Sequence, residues 1–283
     1  MLGRLIKHEF RATGRRMLPA LGVLALLGLL ANLSIRILDS GFGGTPLRIL
    51  LILFIIAFFV GMIAAWIMAL VLMIIRFYRN LLGDEGYLMF TLPTDAHALI
   101  WSKLIVSTVW FLATALTIFL LMLLTGANLA HMSGANFDEV FRGMGEGLEL
   151  LRSLGVTNGS LILLGVEFVV AMVLSSLATC LHFYAAMGLG QMSAEHKVLW
   201  SVLAFVGLSF AFRFLGTAVF AGLAGTESMD LVIRSMEELA QSAPGVVRVI
   251  HSGIGGVMLL ELLQGAVLYL ITALTLKKKL NLA

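Results

Sequence analysis

The chain has 283 residues, of which 60% are hydrophobic and only 12% charged, with 19 Lys and Arg against 16 Asp and Glu. Soluble domains carry about 25% charged residues, so this composition, with a mean hydropathy of +1.03, excludes a water-soluble globule and defines an all-α or β-barrel integral membrane protein. A single cysteine, Cys180, excludes an internal disulfide and a thiolate metal cluster, and the six histidines show no metal-ligand spacing.

The first 16 residues, MLGRLIKHEFRATGRR, place Leu2, Leu5, Ile6 and Phe10 near one helical face, with Arg4, Lys7 and Arg11 largely away from it. This pattern predicts an amphipathic helix at the membrane surface. Gly14 is expected to end it, and Pro19, tolerated in a first helical turn, to start the first membrane helix at a new angle. A basic topogenic leader and a docking element both fit these residues.

A hydrocarbon core of about 30 Å needs about 20 helical residues. Six apolar runs meet that need, at 17–38, 47–75, 104–125, 161–187, 198–224 and 254–276. None alternates as a barrel strand would, so the fold class is all-α with six transmembrane helices. The first run is longer than a secretory apolar region and lacks a small-x-small exit, which makes it a retained anchor. The expected division is therefore a surface helix over 1–16 and one membrane domain over 17–283.

Twelve Lys and Arg lie before the first run, around 76–103, at Lys197 and at Lys277 to Lys279. The opposite set, Arg36, Arg48, Arg142, Arg152, Arg234 and Arg248, is half as large. The positive-inside rule then puts both termini and the even-numbered loops in the cytoplasm of a multi-pass protein in the cytoplasmic membrane. The basic residues sit at chain ends and beside apolar runs, which suits lipid headgroups and gives no nucleic-acid footprint.

The longest cytoplasmic connection is RFYRNLLGDEGYLMFTLPTDAHALIWSK, from Arg76 to Lys103. Gly83 and Gly86 bracket the acidic pair Asp84 and Glu85, Leu88 to Leu92 returns to apolar character, and Pro93 breaks the chain before Thr94 offers a helix cap. A turn, a short amphipathic piece and a second turn form a compact knob; a solvated or re-entrant connector fits the composition equally.

In the second outer loop, Phe137, Val140, Phe141, Met144, Leu148 and Leu151 form a helical stripe behind an Asn136–Glu139 capping box. The third outer loop repeats the pattern with Met229, Val232, Ile233, Met236 and Leu239, closed by Pro244 and Gly245. Each predicts a short amphipathic helix with four acidic and two basic residues nearby, a charge that solvates an exposed face or attracts a cation.

Glu167, Arg213 and Glu261 interrupt apolar spans, at a cost of about 3 kcal/mol each by insertion scales. Their depths overlap, so Arg213 is expected to pair with Glu167, Glu261 or both and hold spans four to six together. His182 and Gln264 read as interhelical hydrogen bonders.

Three segments carry a resemblance: MLGRLIKHEFRATGRRMLPA, GDEGYLMFTLPTDAHALIWSKLIVSTVW and AMGLGQMSAEHKVLWSVLAF. They are similar to permease subunits of bacterial type-2 ATP-binding-cassette exporters, nearest the six-span group associated with antimicrobial-peptide and drug export. The likeness covers the spans, their order and three cytoplasmic segments, and not the outer loops. It implies a membrane domain that pairs with a second permease copy or paralogue above two copies of a separate cytoplasmic ATPase. It also implies that the leader is an interface helix, with Lys7, Glu9, Phe10 and Arg11 as its candidates. The coupling helix would lie within Arg79 to Pro93, with Arg79, Gly83, Asp84, Glu85, Gly86 and Tyr87 as coupling contacts. The loop from Gly188 to Lys197 would be a second contact.

No G-x-x-x-x-G-K-[ST] phosphate loop occurs, so on this reading the chain itself holds no cofactor and its partner binds ATP and Mg. The expected function is ATP-driven movement of a hydrophobic or amphipathic substrate across the membrane, the chain itself not being an enzyme. The alternative is a channel or non-transporting scaffold without an ATPase.

Overall fold

The computed structural model of the protein describes residues 2–83, 95–132, 137–153, 156–193, 195–224, 234 and 243–280. Among them are seven α-helices: α1 (Leu2–Asp39), α2 (Thr45–Phe77), α3 (Ala96–Met132), α4 (Phe137–Ser153), α5 (Asn158–Gly190), α6 (Lys197–Ala224) and α7 (Ala243–Leu280). All but α4 are long and apolar enough to cross a membrane, and the chain is a multi-pass, six-span helical protein. Each of the six apolar runs falls within one of these helices.

The ends differ from expectation in one instructive place. Leu2–Asp39 is a single helix that runs through Gly14 and contains Pro19, so the helix does not stop where a glycine cap was expected. Gly14 instead lies against Trp110, whose Cζ2 would stand 3.5 Å from an added Cβ. Its missing side chain is used for close helix packing rather than for a left-handed cap. At 1.5 Å per residue α1 is about 57 Å long, nearly twice a bilayer core. The turn to α2 does need glycine, since Gly41 and Gly43 take φ of +68° and +95°.

The helices pack in two compact units, Met1–Ile75 with Ile105–Leu148, and Arg76–Leu104 with Glu149–Ala283. In the first, Leu24 and Ala31 of α1, Phe58 and Ala65 of α2 and Leu121 of α3 form a buried cluster. Gly28 lets α1 approach, because a Cβ there would stand 2.7 Å from Leu121 Cδ2 and 3.1 Å from Phe58 Cε2. A polar seam joins α1 to α3. Asn128 donates to Asn32 (2.6 Å), Asn32 donates to Thr125 (3.2 Å) and Arg36 Nε donates to Asn128 (2.8 Å). Toward the N-terminus Trp110 Nε1 donates to Thr13 (2.8 Å). The pairings rise together along both helices, so α1 and α3 run parallel, as two spans separated by one return crossing must.

The second unit repeats that geometry. From Glu167–His251 through Ser175–Glu261 to Leu181–Gly265, α5 and α7 run parallel, and α6 returns antiparallel beside α5 through His182–Ser209 and Phe183–Phe205. Thr157 caps α5 by accepting from the Ser160 amide (3.3 Å). Close approach again rests on glycine, Gly188 facing Thr275 and Gly190 facing the backbone and hydroxyl of Ser201.

Around these contacts the outward faces stay apolar. Leu26, Leu29, Ile52, Ile56, Phe210, Phe214, Leu259 and Leu263 are all exposed, which in water would be untenable and in lipid supplies the hydrophobic surface the bilayer solvates.

Candidate functional site

Two features of the second unit concentrate chemistry: the mounting of the segment between α2 and α3, and a polar cavity among α5, α6 and α7.

Helix α2 does not end in a simple cap. Tyr78–Leu82 continues it as a π-helical turn, closed by the Gly83 amide donating to the Tyr78 carbonyl at 2.7 Å. Such turns are rare and often mark functional positions. Asn80, Leu81 and Leu82 are buried within it. Gly83 turns extended where a Cβ would meet the Arg79 carbonyl at 3.1 Å. The flanks on both sides of residues 84–94 are anchored. Phe77 stacks on Tyr184 of α5 with centroids 3.9 Å apart and planes 10° from parallel, and both rings are completely buried. On the α3 side, His97 Nδ1 lies 2.6 Å from the Tyr269 hydroxyl of α7, and Trp101 packs against the same ring.

Of the residues assigned to coupling by resemblance, Arg79 sits on the π-helical turn and Gly83 ends it. Asp84, Glu85, Gly86 and Tyr87 lie outside the described residues, as do the Asn136 capping position and the helix expected in the third outer loop apart from Arg234. Helix α4 covers the stripe read in the second outer loop. In the leader, Lys7 and Arg11 are exposed, while Phe10 is half-buried with its ring 6.1 Å from that of Trp110. Glu9 departs from a surface role: it is 8% exposed, and its carbonyl accepts from the Thr13 hydroxyl. The buried face of the leader is thus Glu9, Thr13 and Gly14 more than Leu2, Leu5 and Ile6. The loop after α5 is also shorter than expected, since Gly188 and Gly190 belong to the helix and only 191–196 lie between α5 and α6. His196 there takes φ of +51°.

The intramembrane charges do not pair as depth alone suggests. Glu167 accepts from or is paired with His251 Nδ1 at 2.7 Å, and no ion pair of Arg213 occurs among the described residues. His251 lies three residues before the sixth apolar run, where apolar length alone gives no sign of it. Its helix begins about three turns earlier than that run, at Ala243. Glu261 takes a hydrogen bond from the Ser175 hydroxyl through Oε1, and its Oε2 is buried with no partner. His182 is the interhelical bonder expected of it, its Nε2 lying 3.0 Å from Ser209 Oγ.

Glu261 and Arg213 nevertheless line one cavity of about 380 Å³. Helix α5 contributes Ser175, Thr179 and His182, α6 contributes Phe205, Ser209 and Arg213, and α7 contributes Glu261 and Gln264. No group of His, Cys, Asp and Glu suited to a metal ion occurs among the described residues.

No protein-family profile, curated protein or solved structure matches the chain.

Proposed function

We propose that the chain is the membrane-spanning subunit of an ATP-binding-cassette exporter, driven by a separate cytoplasmic ATPase and working beside a second permease copy or paralogue. Its substrate is hydrophobic or amphipathic, and its membrane is the cytoplasmic one with both termini inside. In this reading the leader is the interface helix, α4 and its counterpart in the third outer loop lie at the outer surface, and residues 84–87 engage the ATPase.

The observation that carries the reading is the mounting of the GDEGYLMFTLP segment. A segment that transmits force must be held at both ends, and its flanks are fixed by Phe77–Tyr184 on one side and by His97 and Trp101 on Tyr269 on the other. A solvated connector needs neither aromatic anchor. The fastened flanks belong to the same unit as α5, α6 and α7, so displacement of the segment would be felt by the membrane helices themselves. ATP-driven closure of the partner would then shift the paired bundles between inward- and outward-open states, provided the substrate binds those states unequally.

The test asks whether a neighbouring reading frame encodes a phosphate-loop ATPase and, with that protein, proceeds by co-expression. Asp84→Lys with Glu85→Lys should abolish co-purification and substrate-stimulated ATP hydrolysis while six-span helicity, measured by circular dichroism, is kept. Unchanged complex and activity in that variant would remove the coupling assignment, and transport by the purified chain alone would remove the exporter reading.

A further inference from the structure

Two charged groups line the cavity among α5, α6 and α7 with valences that no described residue fills. Glu261 Oε2 is buried without a hydrogen-bond partner, and Arg213, which lines the same space, has neither a carboxylate within ion-pair distance nor a side-chain hydrogen bond among the described residues. Three of the polar groups nearby are already engaged: Ser175 donates to Glu261 Oε1, Ser209 donates to the Phe205 carbonyl, and His182 contacts Ser209. Gln264 also lines the space.

The two charges sit at the same level. Arg213 is sixteen residues from Lys197 along α6, and Glu261 is sixteen residues from Lys277 along α7, each about 24 Å of helix. They belong to different helices, line the same cavity and stand beyond ion-pair distance. A charge in apolar surroundings is costly without a partner, so a carboxylate and a guanidinium at one depth beside one space leave room for a ligand that meets both.

The charge balance selects what that is. A lone cation would satisfy Glu261 and be repelled by Arg213, and a lone anion would meet the reverse. A zwitterion meets both, its ammonium at Glu261 and its phosphate or carboxylate at Arg213, where a guanidinium gives two-pronged recognition. A charge-assisted bond to the Glu261 carboxylate needs an N–H donor, which a primary ammonium has and a trimethylammonium lacks. The volume lies at the small end of ligand sites, and Thr179, Ser175 and Arg213 are exposed, so the space opens outward.

The geometry points to a binding site for a primary-ammonium zwitterion, of the chemistry found in an aminophospholipid headgroup or a free amino-phosphate compound. The site belongs to this chain alone and does not depend on the exporter reading.

The experiment uses the full purified chain in detergent without any partner, titrated with short-chain phosphatidylethanolamine, phosphatidylcholine and phosphatidylglycerol and with soluble glycerophosphoethanolamine. Binding is followed by native mass spectrometry and thermophoresis. Phosphatidylethanolamine should bind about tenfold or more tighter than the other two lipids, the worth of one charge-assisted bond; Glu261→Gln should erase that preference, whereas Arg213→Gln, facing the phosphate that all three lipids share, should weaken all three by about tenfold. Binding of glycerophosphoethanolamine with the same preference identifies the headgroup as sufficient, whereas binding of the lipid alone assigns the site to membrane lipid. If either charge variant fails to fold, Thr179→Phe narrows the exposed mouth without touching a charge and should weaken phosphatidylethanolamine binding by a similar factor. Equal affinity for all three lipids, a preference unaltered by Glu261→Gln, or affinities unaltered by Arg213→Gln overturns the site.

Discussion

The seam between α1 and α3 allows a stability prediction to be worked from individual bonds. Asn32 and Asn128 are 5% and 7% exposed and meet at 2.6 Å. Asn32→Ala deletes three side-chain bonds, those with Asn128, Thr125 and the Gly28 carbonyl, which at about 0.6 kcal/mol for each bond within a membrane sum to about 2 kcal/mol. Asn128→Ala deletes two, one of them from the Arg36 guanidinium; allowing about 1.5 kcal/mol for a charged donor gives a similar loss of about 2 kcal/mol. The bond between the two asparagines is counted in both variants. The double variant should therefore lose about 0.6 kcal/mol less than the sum, and no more than about 1.7 kcal/mol less. Reversible unfolding of the four proteins in mixed micelles measures that difference. Strict additivity would refute the reasoning, because it would mean that the two amides do not meet in the bilayer and that α1 and α3 are joined by packing alone.

Gly190→Val should cost more than Gly207→Val, since the first drives a side chain into the Ser201 backbone and the second meets open space; thermal unfolding of the two variants ranks them. His251→Leu leaves the Glu167 carboxylate without its partner and should lower stability by about 1–3 kcal/mol, while adding Glu167→Leu should restore most of the loss because both polar groups are then gone. Charge reversal gives a third outcome: Arg213→Glu combined with Glu167→Arg should not recover folding, since Glu167 is engaged by His251, and recovery would reinstate the pairing expected from depth. Trp110→Phe removes the bond to Thr13 and should destabilise by about 1 kcal/mol, read from the denaturation midpoint.

What was legible in the sequence is what a bilayer imposes in one dimension. Apolar length locates a span, and six runs of sufficient length gave six helices, with their alternating direction visible in the parallel seams α1–α3 and α5–α7. Neighbour relations need the second dimension. Gly14 looks like a helix stop when only its own chain is considered, and becomes a packing residue once Trp110 is beside it. Glu9 looks like a surface charge on a basic leader, yet the face carrying Thr13 and Gly14 is the one that turns inward. The aromatic residues that fix the flanks of 84–94 are separated by more than a hundred residues in sequence, Phe77 from Tyr184 and His97 from Tyr269, and nothing local distinguishes them from the other rings of an aromatic-rich membrane protein.

The intramembrane charges show the same limit and lead to a stronger test. Depth placed Glu167, Arg213 and Glu261 at comparable levels, but azimuth decides partners, and a histidine just outside the apolar run took Glu167. What remained was Arg213 and Glu261 about one cavity, lined in part by the helices that also hold the aromatic anchors: Tyr184 is on α5, two residues from His182, and Tyr269 is two turns along α7 from Glu261. If residues 84–87 receive the ATPase as proposed, its docking pulls on α5 and α7 through those anchors and alters the cavity that a zwitterion occupies. Linkage then requires reciprocity: the ATPase must change affinity for the zwitterion by the same factor as the zwitterion changes affinity for the ATPase, by about 5- to 150-fold for ordinary coupling. Titrating phosphatidylethanolamine against the chain with and without the ATPase, and the ATPase against the chain with and without the lipid, measures both arms. Tyr269→Phe removes the contact to His97 while keeping the ring against Trp101, and should reduce the coupling while leaving each separate affinity nearly intact. A lipid affinity unchanged by the ATPase, with an ATPase affinity unchanged by the lipid, would show that the anchors hold the segment without passing its movement to the cavity.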